Sequence, residues 1–370
     1  MNKIKITNNQ IFSLTASFSC GTSILVIPAT AAGLAKQDAW IAMLISVIYG
    51  LFDIGLFYFL WSKLPGITFV EMIKRIYGNM MGSIIAMGFV FFSLLSTSDV
   101  LWYLSTFMTV QVIPETPAYF INMLFIAAVV IALLYGMETI ARSYELFIPF
   151  VSILFILSMI LVLPNARIQN ILPVLENGFS PVLKGSLILS SFSFPTIVFL
   201  MLFPINAKNT KKAKKSFING FLWGQFLVLA SIIVSILVLG STISSSSSYP
   251  VYLLAKEINL GILFTRLEFI VAAVWVITLL SRVIFYFYAG VLGFSQLLEL
   301  KDHKKVILPL GLIVLVLSGL VFPDVIYRIS WDNYVWPIFS ATFGLILPIS
   351  IVIGFYIKKL LTIRNSGGQV

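Results

Sequence analysis

The sequence predicts an all-α polytopic membrane protein with ten transmembrane helices. Three observations carry that prediction: an extreme apolar composition, a series of apolar runs each long enough to cross a bilayer, and basic residues gathered between alternate runs. Of 370 residues, 59% are hydrophobic and only 10% charged, and the mean hydropathy is +1.04. A soluble domain carries about 25% charge. A water-exposed fold of this length could not cover so much apolar surface, whereas a bilayer can.

A span needs roughly 20 mostly apolar residues, because a helix rises about 1.5 Å per residue through a core about 30 Å thick. Ten such runs are predicted, at about 10–34, 40–62, 81–110, 117–138, 144–164, 181–204, 217–241, 264–292, 304–322 and 334–360. Pro65-Gly66, Pro114, Pro117, Pro164 and Pro323 punctuate their ends. No separate soluble domain is expected. The chain reads as one integral membrane domain over 1–370, with repeats at about 10–164 and 181–360. Lys3, Lys5 and Ala29-Thr30-Ala31 resemble a cleaved leader. The run between them is too long and too polar in its middle for that, so it is counted as a span.

Charge gives the orientation. Of the 24 Lys and Arg residues, 17 fall on one side, 6 on the other, and Arg282 lies inside a span. The richer side includes Lys3, Lys5, Lys63, Lys74, Arg75, Arg142, the 208–215 lysines, Lys301, Lys304, Lys305, Lys358, Lys359 and Arg364. The other holds Lys36, Arg167, Lys184, Lys256, Arg266 and Arg328. The positive-inside rule makes the richer side, with both termini, cytoplasmic. The net charge of +10 is then matched to anionic lipid at the cytoplasmic loops rather than to nucleic acid. Residues 67–78 have the spacing of an interfacial amphipathic helix. The serine-rich Ser241–Ser248 stretch is expected to be flexible, and a short outer helix is expected at 250–259.

A single cysteine, Cys20, excludes an intramolecular disulfide, and with a single histidine, His303, no zinc or iron–sulfur site and no cofactor is expected. No clustered metal-ligand set and no nucleophile–base arrangement points to catalysis, so the chain is not expected to be an enzyme.

Two spans carry interruptions. Span one holds Ser17, Phe18, Ser19, Cys20, Gly21, Thr22 and Ser23 near its middle, with Pro28 beyond. Span six holds Ser190, Ser191, Phe192, Ser193, Phe194, Pro195 and Thr196. Glycine is a poor helix former and proline removes a backbone donor. Unpaired backbone at membrane depth is tolerated where protein, water or a ligand satisfies it. Small residues at such a point also suit close helix packing. The two interruptions lie five spans apart, as expected where two inverted five-helix repeats meet at a midplane site, the LeuT-type arrangement with broken helices one and six.

Asp53, Asp99 and Arg282 fall inside spans, where ionisable groups usually face the bundle interior and are candidates for function. Each has a structural alternative, as a paired or hydrogen-bonded packing group. Asp99 follows Ser96-Thr97-Ser98 and neighbours Tyr103; Arg282 has Tyr286 at i+4 on the same helix face. In sodium-coupled carriers of the LeuT type a cation bridges spans one and eight, and the guanidinium of Arg282 is placed to substitute for it. Arg282 and Tyr286 are therefore candidates for a cation surrogate or gate. Glu138, Arg142, Glu145 and His303 read as solvated charges at span ends.

Gly21-Thr-Ser-Ile-Leu-Val-Ile-Pro28 followed by Asp38-Ala39-Trp40-Ile41 resembles the first two spans of the spore germination receptor B-subunit family, as do Tyr286 to Gln296 and the Ser/Phe/Pro segment of span six. The family belongs to the amino acid/polyamine/organocation permease superfamily. The resemblance implies a LeuT-type fold in the spore inner membrane and a germinant-binding role. It also implies partnership with receptor A and C subunits and a small amino-acid-like ligand at the midplane. The ligand carboxylate is expected at the amides of Cys20, Gly21, Thr22 and Ser23, and its amino group at carbonyls and hydroxyls near Ser190, Ser191 and Ser193. Asp99, Tyr103, Phe192 and Phe194 would complete the pocket. Thr22-Ser23 stands where the family often has a second glycine, so no particular amino acid is inferred. A proton- or sodium-coupled amino-acid transporter of the same fold is the alternative.

Overall fold

A computed structural model describes residues 6–202, 210–256 and 268–366. Lys3, Lys5, Lys208 and Arg266, the last residues expected for span six and the first for span eight lie outside the described residues, as does the end of the expected 250–259 helix. The described residues fall into helices throughout, with no strand among them.

The order of helices follows the ten predicted spans. The first is a broken rod, Asn8–Cys20 then Ser23–Ala35, followed by Ala39–Lys63 as the second. The third is Asn79–Phe107, the fourth Ala118–Tyr135 and the fifth Met137–Val162. The sixth is Phe179–Ser190 continued by a 3-10 helix, Phe194–Met201. Thr210–Ser246, Glu268–Leu297 and Ile307–Leu320 are the seventh to ninth, and Val325–Ser366 is the tenth, with two wider π-type turns inside it, Trp331–Val335 and Thr342–Ile346. Among the described residues nine runs are long and apolar enough to cross a membrane, because Ser23–Lys63 is a single run that joins the second half of span one to span two.

Several boundaries differ from expectation, each for a local reason. Span five begins at Met137 rather than 144, because Gly136 at φ 97 turns the chain sharply between two abutting helices. Glu138, Arg142 and Glu145 are therefore helical. Span ten begins at Val325 rather than 334: Asp324 caps it by accepting the Tyr327 N–H at 2.7 Å. Arg328 consequently belongs to the helix, not to a loop. The serine-rich stretch is helix through Ser246, after a kink at Gly240 (φ 75). There the Ser244 hydroxyl donates to Ser235 O, and Ser245 and Ser246 donate to Thr242 O and Ile243 O.

The expected amphipathic helix is Phe69–Tyr77, capped by Thr68 and Glu71 in a reciprocal box. Phe69, Val70, Met72 and Ile73 are fully buried against the bundle, while Glu71 and Arg75 face outward. Span seven lies on the first half of span one through Gly220 and Gly224. A methyl group at Gly224 would come within 2.7 Å of Ala16 O and of the Ser19 side chain. This Gly-x-x-x-Gly spacing lets two backbones touch. The outward surface is apolar all round the bundle, for example Ile48, Phe91, Phe150, Leu312 and Ile338, as a lipid-facing surface requires.

Candidate functional site

Both predicted interruptions are present. Span one loses helical geometry at Gly21 (φ 17, ψ -122), and the helix resumes from Thr22 and Ser23. Span six turns through Ser191–Ser193, and the 3-10 segment Phe194–Met201 follows instead of an α-helix. Pro195, which lacks a main-chain donor and whose ring crowds the carbonyl of Ser191, keeps the Phe179–Ser190 helix from running on.

Arg282 of span eight reaches the two breaks. It is 2% exposed. Its Nε donates to Phe18 O at 2.8 Å, and one terminal nitrogen donates to Thr22 Oγ1 at 2.9 Å. The other donates to Ser23 Oγ at 3.1 Å and to Phe192 O at 3.1 Å. One side chain therefore ties span eight to the ends freed in spans one and six. The guanidinium also lies 5.2 Å from the centroid of the Phe18 ring. Of the structural alternatives for Arg282, a pair with Asp53 or Asp99 is not formed, whereas backbone carbonyls, joined by two hydroxyls, are its partners. Gly21 is required by this approach, because a Cβ there would fall 2.5 Å from Arg282 Nε. Thr278, one turn earlier, reaches toward Gly21 O at 3.5 Å.

A small cavity with free room of about 10 Å³ opens beside this tie, lined by Thr22, Asp99, Tyr103, Phe192, Arg282 and Tyr286, with Asp332 and Trp336 of span ten. The room suits about one water. Of the residues expected at the site, Thr22, Asp99, Tyr103, Phe192, Arg282 and Tyr286 thus meet. Cys20, Gly21 and Ser23 lie beside them on span one. Ser190 and Ser191 do not offer free hydroxyls: each donates to a carbonyl of its own helix, Leu187 O at 2.7 Å and Ile188 O at 2.6 Å. Ser193 is buried but outside the cavity lining, and Phe194 is turned to span ten, where its backbone packs on Gly344.

Asp332 was not anticipated, nor was the place of Arg328. Tyr103 Oη donates to Asp332 Oδ2 at 2.6 Å, and Arg328 donates to the same oxygen at 2.9 Å and to Tyr103 Oη at 3.2 Å. The i, i+4 spacing of Arg328 and Asp332 was readable as a helical ion pair; the late start assigned to span ten hid it. Two larger cavities lie beyond this cluster, at the end of the bundle opposite the termini. One of about 330 Å³ includes Trp102, Gln111, Tyr252, Lys256 and Arg328. The other, of about 310 Å³, includes Val26, Thr30, Ser246, Arg328 and Asp332.

Asp53 is separate from this site. It is fully buried on span two, and among the described residues neither carboxyl oxygen has a hydrogen-bond partner. The Asp38-Ala39-Trp40 element is structural: Asp38 Oδ1 accepts the Leu175 N–H at 2.9 Å, and Gln37 donates to Pro173 O and Glu176 Oε2. Together they pin the connection between spans five and six to the end of span one.

A bundle with broken first and sixth helices and a polar midplane defines the class: a LeuT-fold integral membrane protein. Solved structures carry the same fold. A nucleobase-cation-symport-1 family transporter, MHP1, closed with bromovinylhydantoin bound, superposes with a TM-score of 0.71 at 13% identity, covering 94% of this chain and 78% of that one. MhsT in complex with L-phenylalanine gives a TM-score of 0.56 at 15% identity, covering 94% and 97%. Residues 5–323 match the family model described as spore germination protein, and the chain belongs to that family. Spore germination protein KB of Bacillus subtilis is 26% identical over 375 residues, covering 100% of this chain and 99% of its own. Spore germination protein A2 of the same organism is 22% identical over 364 residues, covering 98% of each.

Proposed function

We propose that this chain is the germinant-binding transmembrane subunit of a spore germination receptor, and that it senses a small amino-acid-like ligand at the midplane. The observation that carries the reading is the Arg282 tie. One buried cation joins the breaks of spans one and six, so anything that competes for its hydrogen bonds alters how three spans are held. A ligand carboxylate suits that competition, since guanidinium groups bind carboxylates strongly and bidentately. Binding must favour one arrangement of the bundle to send a signal, because equal affinity for two states shifts nothing.

In this reading the chain is one membrane domain of two inverted repeats, about 10–164 and 181–360. It sits in the spore inner membrane with cytoplasmic termini and works with receptor A and C subunits, its basic loops meeting anionic lipid. Arg282 serves as a fixed substitute for a coupling cation, locking rather than driving the bundle, since a guanidinium does not give up its proton.

The test is thermal stability of the purified protein against the standard L-amino acids. At least one should raise the melting midpoint, and Gly21→Leu, which drives a side chain into Arg282, should remove the response. Absence of any response in the wild type would overturn the reading. Reconstituted vesicles separate it from an ion-coupled transporter: concentrative uptake driven by a proton or sodium gradient would favour the transporter.

A further inference from the structure

The midplane cavity has a second polar wall that Arg282 does not serve. Asp99 is 6% exposed and its Oδ1 has no hydrogen-bond partner among the described residues. The Tyr286 hydroxyl, fully buried, and the Trp336 indole N–H, on a side chain 5% exposed, are also without partners. All three line the same small cavity, and Asp332 lines it as well. Buried polar groups are almost always satisfied, and those that are not mark the place of an absent partner. Two carboxylates facing one space do not both stay charged there without a positive group or a shared proton between them, and an ammonium group supplies both.

Asp332 is also the shared wall between this cavity and the 310 Å³ cavity at the far end of the bundle. At present its Oδ2 is held by Arg328 at 2.9 Å and Tyr103 at 2.6 Å. Arg328 lines both outer cavities but not the inner one. A solute coming from the outer cavities thus meets an ion pair whose acidic half faces inward and whose basic half faces outward.

We propose that Asp99 and Asp332 form the seat for a ligand ammonium group, which enters by replacing Arg328 on Asp332, while Arg282 takes the ligand carboxylate. This rests on the reading of the midplane as an amino-acid site and adds the half of the recognition that reading left to the serines of span six. The charges then run basic, acidic, basic from Arg282 through the two carboxylates to Arg328. Only a zwitterion with its ammonium toward span ten is matched at both ends. The ammonium releases Arg328 as it binds, so occupancy of the seat and opening of the Arg328–Asp332 pair are one event.

The experiment uses the purified full chain and melting-midpoint titrations with the standard L-amino acids. For each amino acid that stabilises the wild type, the matching acid with hydrogen in place of the amino group is titrated as well. The expected result is at least a tenfold weaker apparent affinity for the des-amino acid, and a similar loss for the amino acid in Asp99→Asn and Asp332→Asn. Arg328→Gln should bind several-fold more tightly, since the competitor for Asp332 is gone. A des-amino acid that stabilises the wild type as well as its parent overturns the ammonium seat and leaves the amino-acid reading standing; it needs no variant to fold. Weaker binding in Arg328→Gln overturns the exchange, because Arg328 would then be a ligand contact. No response to any amino acid in the wild type overturns the midplane reading and the seat together.

Discussion

Arg282 shows how much one side chain decides at membrane depth. An arginine inside a bilayer is costly unless it finds partners within the protein, and this one finds four, two carbonyls and two hydroxyls. Arg282→Ala would strand the Phe18 and Phe192 carbonyls, each worth about 1–3 kcal/mol when left buried and unpaired. A clear fall in the melting midpoint is expected. Arg282→Lys keeps the charge but not the planar fork, so it should recover only part of the loss, which the same measurement reads. Asp53 gives the opposite expectation. Its oxygens have no partners among the described residues, so Asp53→Asn, which keeps the shape and removes an unpaired ionisable group, should leave the midpoint unchanged or raise it. A large fall would mean that Asp53 has a counter-ion in another state of the bundle.

At the scale of elements, the breaks and the seams set the architecture. Gly21 was legible as a break, but its tight approach to Arg282 depends on how span eight packs against span one. The Gly220–Gly224 pair is a small-x-x-x-small pattern in the sequence, but the spacing alone does not say which helix it meets; the packing of span seven on span one decides that. Gly224→Val would push span seven off Ala16 O and Ser19. Overpacking of this kind costs about 1–3 kcal/mol, and thermal unfolding in detergent should register it, whereas Gly55→Val, with open space around the position, should have little effect. The serines of span six were read as ligand hydroxyls. A serine in a helix can satisfy itself on the carbonyl three or four residues back, as Ser190 and Ser191 do, and sequence alone does not distinguish that rotamer from one turned to a ligand.

For the molecule as a whole, Cys20 is a natural reporter of opening. It is the single cysteine of the chain, is 1% exposed, and adjoins the break that Arg282 closes. Maleimide labelling of the wild type should be slow, and Arg282→Ala should accelerate it severalfold while the far-ultraviolet circular dichroism stays helical. Equal labelling rates in the two proteins would mean that the tie does not hold the bundle closed. The two outer cavities, the Arg328–Asp332 pair and the small midplane cavity lie in sequence. Between the larger cavities and the midplane cavity stand an ion pair and a tyrosine hydroxyl.

The sequence by itself determined the membrane class, the approximate number of crossings and the two interrupted helices, because hydropathy, charge and helix-breaking residues act locally and leave their mark within a window of about 20 residues. It also singled out Arg282, since an arginine inside a span is rare enough to be conspicuous. Only the tertiary structure decided what Arg282 holds, that Asp332 joins Asp99 and Tyr103, and that Asp38 secures a distant loop. Those contacts link residues 90 to 264 positions apart, and no local pattern encodes which buried donor meets which buried acceptor once ten helices have packed.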